Sequence, residues 1–349
     1  MKTVLGPAAL NAKLATFHSR VRDPNDEPTI AREPGSSMRA IQWRRDDIAR
    51  LLHLVATEIG LEAGGDRRTL RLTNPGLPYG TTPTIWAGIQ HILPGEIATA
   101  HRHSPHAFRF IMAGSGASTT VDGEHYPMNK GDVVLTPAWR WHDHQHQGNA
   151  PMTWLDGLDI PLVRSMHASF FEPYPQHQQA AATVPDRSWK QFGSGIMRPA
   201  NMSAANANAS PLLLYPWAKA QRALSDFAAT DPDPFDDFVL EYQNPTTGGP
   251  VLSTLGLALQ WLRPGMHGNA HRHTGSVLYH VVRGEGSTII AGETFDWAEG
   301  DFLALPPWTW HEHANRSRKD EAILFQTNDF PAMKALGLYR EEAHAAGRQ

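Results

Sequence analysis

Gly95-Glu96-Ile97-Ala98-Thr99-Ala100-His101-Arg102-His103 decides how this chain is read, together with a segment about forty residues later, Gly131 to Pro137 and on to Trp141-His142-Asp143-His144. In an extended strand alternate side chains share a face, so His101 and His103 point the same way while Arg102 points opposite. A third histidine, His142, at the end of another strand-like run supplies a third imidazole for one point in space. Three convergent imidazoles form a metal site in outline.

Working outward, the stretch occurs twice. Arg263-Pro264-Gly265 runs on through Ala270-His271-Arg272-His273 as Leu93-Pro94-Gly95 runs on through Ala100-His101-Arg102-His103, an offset of 170 residues. Gly300-Asp301 through Pro306, Trp308, Trp310, His311 and His313 repeats Gly131-Asp132 through Pro137, Trp139, Trp141, His142 and His144 at an offset of 169. One residue is lost in between, and the chain carries two homologous β domains. Around both copies, short apolar runs separated by Pro-Gly, Gly-Ser-Gly and Asp-Gly turns predict an all-β sandwich or barrel.

Composition narrows the function classes. The 349 residues carry a net charge of −4 with no Lys/Arg cluster, so neither nucleic acid nor a membrane surface is an expected partner. Cysteine is absent, which excludes disulfides, iron-sulfur clusters and thiolate chemistry, whereas nineteen histidines are bunched. The amino terminus lacks a signal-peptide pattern and no apolar run is long enough to span a bilayer, so cytoplasm is the expected location.

Both copies fit the cupin pattern, Gly-x5-His-x-His followed by Gly-x5-Pro-x4-His. The implied fold has an all-β core: a bicupin of two double-stranded β-helix (jelly-roll) domains, with a helical N-terminal region and a mixed connector. Expected boundaries are a helical arm over 1–75, cupin 1 over 76–162, a connector with a helix over 163–237, cupin 2 over 238–332 and a C-terminal helix or tail over 333–349. Within the arm a helix from Ser37 to about Gly60 would align Ile48, Leu51, Leu52 and Val55 on one face. In the connector a helix is expected from Trp217 to Ala228.

Cupins commonly place a glutamate after the His-x-His pair; that slot holds Ala107 in the first copy and Val277 in the second. Each copy therefore offers three imidazoles, a set that leaves coordination positions open and does not by itself select iron, copper, nickel or zinc. Arg109 shares parity with His101 and His103 and is expected inside the barrel, where a guanidinium needs a carboxylate. Asp156 is the obvious partner. Two readings stand, a purely structural pair and a direct substrate contact. His144 is placed on the ligand side, as a residue behind the ligands, a proton acceptor near the metal or a solvent-exposed strand end. His106, His125 and His146 are expected at the surface.

From about Arg67 onward the chain resembles the bicupin gentisate 1,2-dioxygenases and their relatives that cleave salicylate or 1-hydroxy-2-naphthoate. The resemblance rests on Arg67-Arg68, Asn74 to Leu77, Pro83 to Gln90, His101-Arg102-His103, Ala107 to Phe110, Trp154 to Pro161 and Tyr242 to Gly249. It implies a cytoplasmic homo-oligomer, a tetramer favoured, with Fe(II) on His101, His103 and His142, acting on a small aromatic 2-hydroxy acid and O2. It further implies that Arg109 and Arg67 hold the carboxylate or steady the reacting oxygen, that Asp156 orients the arginine, that Trp86 walls the pocket with Gly88 leaving it roomy, and that His144 lies toward the oxygen side. Gentisate opening to maleylpyruvate is the leading reading, with salicylate or 1-hydroxy-2-naphthoate cleavage as the alternative. A non-catalytic metal-binding bicupin is the rival from another class, and a manganese decarboxylase is disfavoured by Ala107 and Val277. In the second copy His271, His273 and His311 are possible ligands, but Tyr279 and Gln326 stand where the first has Arg109 and Asp156.

Overall fold

The computed structural model describes residues 5–26, 30–59, 68–200 and 208–349. Contacts divide the chain at Gly35 into a short amino-terminal unit and a large one from Ser36. The first contains the helix Pro7–Leu14, followed by a 3-10 turn over Ala15–Phe17; neither buries a residue. No helix among the described residues is long and apolar enough to cross a membrane.

The large unit holds the two cupins. In each, a six-stranded antiparallel sheet is matched by a five-stranded one. The sequence offset reappears as strand register. Arg109 pairs with Asp156 between Ala107–Ala113 and Met152–Leu158, and Tyr279 pairs with Gln326 between Val277–Arg283 and Ala322–Asn328. The repeat continues past the consensus motifs, because the helix Ile160–Ser165 and strand Phe171–Pro173 recur as the helix Phe330–Ala335 and strand Glu341–Ala343. Each of these strands pairs with the His-x-His strand of its own cupin.

The six-stranded sheets are completed by strands from outside the consensus. Ile41–Trp43 joins the second cupin beside Phe302–Leu305, and Leu214–Tyr215 joins the first beside Val133–Thr136. Extended residues at 41–43 therefore displace the start of the expected arm helix, which runs over Arg45–Glu58. Ile48 and Leu52 bury, whereas Leu51 is 38% exposed and lies off the packed face. The connector helix runs over Trp217–Phe227. Both helices begin on the Gly-Asp turn of a cupin: Arg45 N donates to Asp301 Oδ1 at 2.7 Å and Trp217 N to Asp132 Oδ1 at 2.9 Å. A carboxylate there accepts an otherwise unpaired first-turn N–H and complements the helix dipole.

The cupins share a core. Phe325 stacks on Phe110 with ring centroids 4.2 Å apart and also meets Phe108 at 5.7 Å. Around it the contacts are reciprocal, with Thr254 donating to Asp159 and Thr84 to Asp329, pairs related by the 170-residue offset. This self-complementarity is what a quasi-twofold relation requires. His106, expected at the surface, is buried at this junction, where Ala138 N donates to its Nδ1 and Nε2 meets Ser253 Oγ at 3.2 Å. His146 is also buried, its Nε2 2.6 Å from the Ala150 carbonyl, while His125 is exposed. Strand position alone does not distinguish these three, because the covering groups come from loops, Ser253 of the second cupin for His106 and Ala150 for His146.

Candidate metal and substrate site

The first triad is assembled by two antiparallel strands. Ile97–His103 and His142–His146 pair so that His101 faces His142, and alternation brings His103 to the same side. Ring centroids lie 5.5, 4.2 and 4.9 Å apart for His101–His103, His101–His142 and His103–His142. Arg102 points the other way, with its guanidinium 5.5 Å from the Trp139 ring and 4.4 Å from Trp141 and its Nε bonded to Glu172. Those stacking contacts explain the Trp-x-Trp spacing ahead of His142.

Each triad ring is held from behind by a backbone carbonyl. Nδ1 of His101, His103 and His142 lies 2.9, 2.8 and 3.0 Å from the oxygens of Thr99, Pro105 and Arg140. Carbonyls only accept, so every Nδ1 carries the proton and every Nε2 presents a lone pair inward. His142 Nε2 is buried without a hydrogen-bond partner among the described residues, and the candidate ligand nitrogens lie within 4.8 Å of one another. Burial, then the neighbouring His101, His103 and Arg109, holds His142 well below the ordinary histidine pKa and therefore neutral. The residues fit a divalent transition ion with imidazole ligands.

Beside the triad, one row of residues crosses the large sheet. Register places Arg71 opposite Gly88, Gly88 opposite Asp156, Asp156 opposite Arg109 and Arg109 opposite Val134. Directly paired residues share a face, so the row is inward. Arg109 is 4% exposed; its Nε is 3.3 Å from Asp156 Oδ1 and its Nη1 donates to Thr136 Oγ1 at 2.9 Å. Trp154 Nε1 donates to Asp156 Oδ1 at 3.1 Å. His144 is fully buried, its ring 5.4 Å from Trp154 and its Nδ1 2.8 Å from Thr119 Oγ1. It is thus no solvent-exposed strand end.

Trp86 and Gly88 lie on the same strand face of Trp86–Ile92. A Cβ at Gly88 would meet the Trp86 ring at 2.8 Å and Thr69 Cγ2 at 2.5 Å, so glycine there lets the indole lie flat along the strand. Arg67 lies outside the described residues. Two further residues escaped the sequence reading. Arg71 places its guanidinium 6.0 Å from the Trp86 ring, and Phe171 from the connector stacks on His101 at 5.1 Å. Arg71 lies four residues beyond Arg67 in the sequence and shares its parity, so alternation could have found it; Phe171 had no local signal.

The second triad repeats this geometry, with centroids 5.8, 4.2 and 4.9 Å apart for His271–His273, His271–His311 and His273–His311. Thr288 holds His313 Nδ1 at 2.8 Å as Thr119 holds His144. The Arg109 position is filled by Tyr279, whose hydroxyl lies 3.3 Å from His313 Nε2.

Comparisons agree with the duplicated motif. The Cupin domain model matches residues 88–158 and 258–326. A 5-aminosalicylate 1,2-dioxygenase of Comamonas sp is 37% identical over 97% of this chain and 93% of its own length. The chain belongs to the gentisate 1,2-dioxygenase family of bicupin ring-cleaving dioxygenases. A gentisate 1,2-dioxygenase of Streptomyces sp is 35% identical over 85% of the chain and 84% of that protein. The crystal structure of a salicylate 1,2-dioxygenase from Pseudaminobacter salicylatoxidans superposes with a TM-score of 0.87 at 32% identity, covering 98% of this chain and 99% of that one. The protein is accordingly an oxidoreductase that incorporates O2, a ring-cleaving 1,2-dioxygenase, and not a non-catalytic bicupin.

Proposed function

We propose that the first cupin cleaves gentisate between its carboxyl-bearing C1 and hydroxyl-bearing C2, with both atoms of O2 entering the product, maleylpyruvate. The observation that carries this reading is the inward row in which the buried Arg109–Asp156 pair lies beside three imidazoles, opposite the side-chain-free Gly88. His101, His103 and His142 hold a ferrous ion. Held there, a ferrous ion would supply Lewis acidity toward the substrate's carboxylate and adjacent hydroxyl and electron density for the reaction with dioxygen.

The chain's own residues do the rest. Arg109, fixed by Asp156 and Thr136, offers a permanent cation to the substrate carboxylate and to negative charge that develops during ring attack. Arg67 is the second arginine assigned to the substrate carboxylate or the reacting oxygen. Trp86 walls the ring on one side, and Arg71 adds a cation above that indole. Thr119 donates its single hydroxyl proton toward Met128 Sδ at 3.1 Å, so His144 Nδ1 donates to Thr119 and Nε2 carries the lone pair, the proton acceptor this reading assigns to His144.

Gly88 supports a second reading. Space beside Trp86, together with relatives named for salicylate and 5-aminosalicylate, favours a range extending to salicylate-type acids. Anaerobic reconstitution with Fe(II), followed by oxygen uptake with gentisate, salicylate, 5-aminosalicylate and 1-hydroxy-2-naphthoate in parallel, tests both. Fastest uptake with gentisate supports the first reading and fastest uptake with salicylate the second; no uptake with any of the four refutes the site assignment.

A further inference from the structure

The second triad has a carboxylate that the consensus motifs do not supply. Asp236, from the end of the connector, places Oδ2 3.7 Å from His271 Nε2 and Oδ1 3.9 Å from His313 Nε2. We propose that Asp236 is the fourth ligand of the second triad and closes it into a three-histidine, one-aspartate site for a divalent ion of the zinc class, separate from the substrate-binding centre.

Distance favours this role. Ligand atoms each about 2.1 Å from one ion are separated by roughly 3.0 Å when at right angles and 4.2 Å when opposed. The 3.7 Å between Asp236 and His271 lies within that range. Nor is the carboxylate there by chance. Asp233 Oδ1 accepts from the backbone N–H groups of Phe235 and Asp236 at 2.8 and 3.0 Å, which fixes the turn. Fully buried Gln260 donates through Nε2 to Asp236 O at 3.0 Å and Oδ1 at 3.1 Å, so one oxygen is held while the other faces His271. The Phe235 ring packs 5.2 Å from His271. A ligand whose second oxygen is hydrogen-bonded is the arrangement that metal sites use to aim a carboxylate.

His271 lies between an acid and a second imidazole. Its Nδ1 is buried without a hydrogen-bond partner among the described residues, and Glu341 Oε1 lies 3.8 Å away. Its Nε2 is 2.7 Å from His311 Nε2, whose Nδ1 faces the Thr309 carbonyl, so the His271 Nε2 proton that joins the two rings is the one an ion would replace.

The second site lacks the buried cation of the first, because the 170-residue offset makes Tyr279 the counterpart of Arg109. Asp231, Asp233, Asp236, Asp237 and Glu341 line a cavity of about 520 Å³ at this end of the cupin. That mouth attracts cations and repels an aromatic carboxylate.

The test counts ions on the full-length protein. After chelation and reloading with Co(II), mass spectrometry of the bound metal should give two ions per chain for the natural sequence and one for Asp236→Asn under the same conditions. The isosteric change keeps a hydrogen-bonding partner for Gln260, and circular dichroism confirms that the variant is folded. Affinity at the second site should fall by at least about 10- to 100-fold, the range typical of disturbing even a ligand's supporting partner. The visible Co(II) band lost in Asp236→Asn should also be lost in His271→Ala and retained in His101→Ala, which separates this site from the first. Two ions bound with unchanged affinity by Asp236→Asn, or a single ion in the natural protein, would overturn the proposal.

Discussion

Replacing Arg109 by methionine separates what the Arg109–Asp156 pair does for the fold from what it does for the reaction. The charged atoms are 3.3 Å apart, and at an effective dielectric of about 20 their mutual attraction is about 5 kcal/mol. Removing the guanidinium leaves Asp156, 6% exposed, as a buried carboxylate without that counter-charge. Breaking a buried pair in this way costs about 3–5 kcal/mol, enough for a large fall in unfolding temperature. The double variant Arg109→Met, Asp156→Leu removes both charges and should recover most of the lost stability, because an apolar pair of similar size avoids the desolvation of either group. Turnover should not recover with it. Loss of a preorganised cation at the reacting centre is expected to lower kcat by about 10²–10³-fold in both proteins, as for other charge-stabilising donors. Thermal unfolding and steady-state oxygen uptake, run side by side after Fe(II) loading, read the two quantities. A double variant that regains both stability and full turnover would reduce Arg109 to a structural residue and remove it from the proposed reaction.

Three further outcomes are expected. His101→Ala should abolish ring cleavage, whereas His271→Ala should spare it while lowering bound metal; oxygen uptake and metal content measured on both would expose a reversed assignment of the two cupins. Gly88→Ala should cost about 1–3 kcal/mol and shift relative turnover between gentisate and salicylate, since its methyl group collides with Trp86 and Thr69; unchanged kcat/KM ratios would show that the indole is not at the substrate. Burial lowers the His106 pKa to about 4, below its ordinary value near 6.5, so the unfolded chain binds the extra proton first. The stability that His106 contributes is therefore present above pH 6.5 and lost as pH falls toward 4, and the melting temperature of His106→Gln should depend less steeply on pH across that window than that of the natural protein.

Much of the first site was legible in the sequence because strand geometry is local. Alternation along Ile97–His103 fixes the side on which His101 and His103 lie, and the same parity predicts that Arg109 faces inward even though Ser104 to His106 interrupt the strand. The pairing of Arg109 with Asp156, and of Tyr279 with Gln326, follows from a repeat whose offset can be counted without coordinates. The arm helix was misread at its start because Ile41-Gln42-Trp43 pairs with a strand more than 250 residues away, a partner that no local window contains.

The sequence by itself determined the double cupin, the two histidine triads and the loss of the arginine–aspartate pair from the second copy, since all of these reside in short-range periodicity and spacing. Tertiary structure alone decided that His106 and His146 are buried, that Phe171 covers His101 and that Asp236 approaches the second triad. His106 and Asp236 lie in loops and His146 and Phe171 at strand ends, and their surroundings are set by which loops and distant segments close over each cupin.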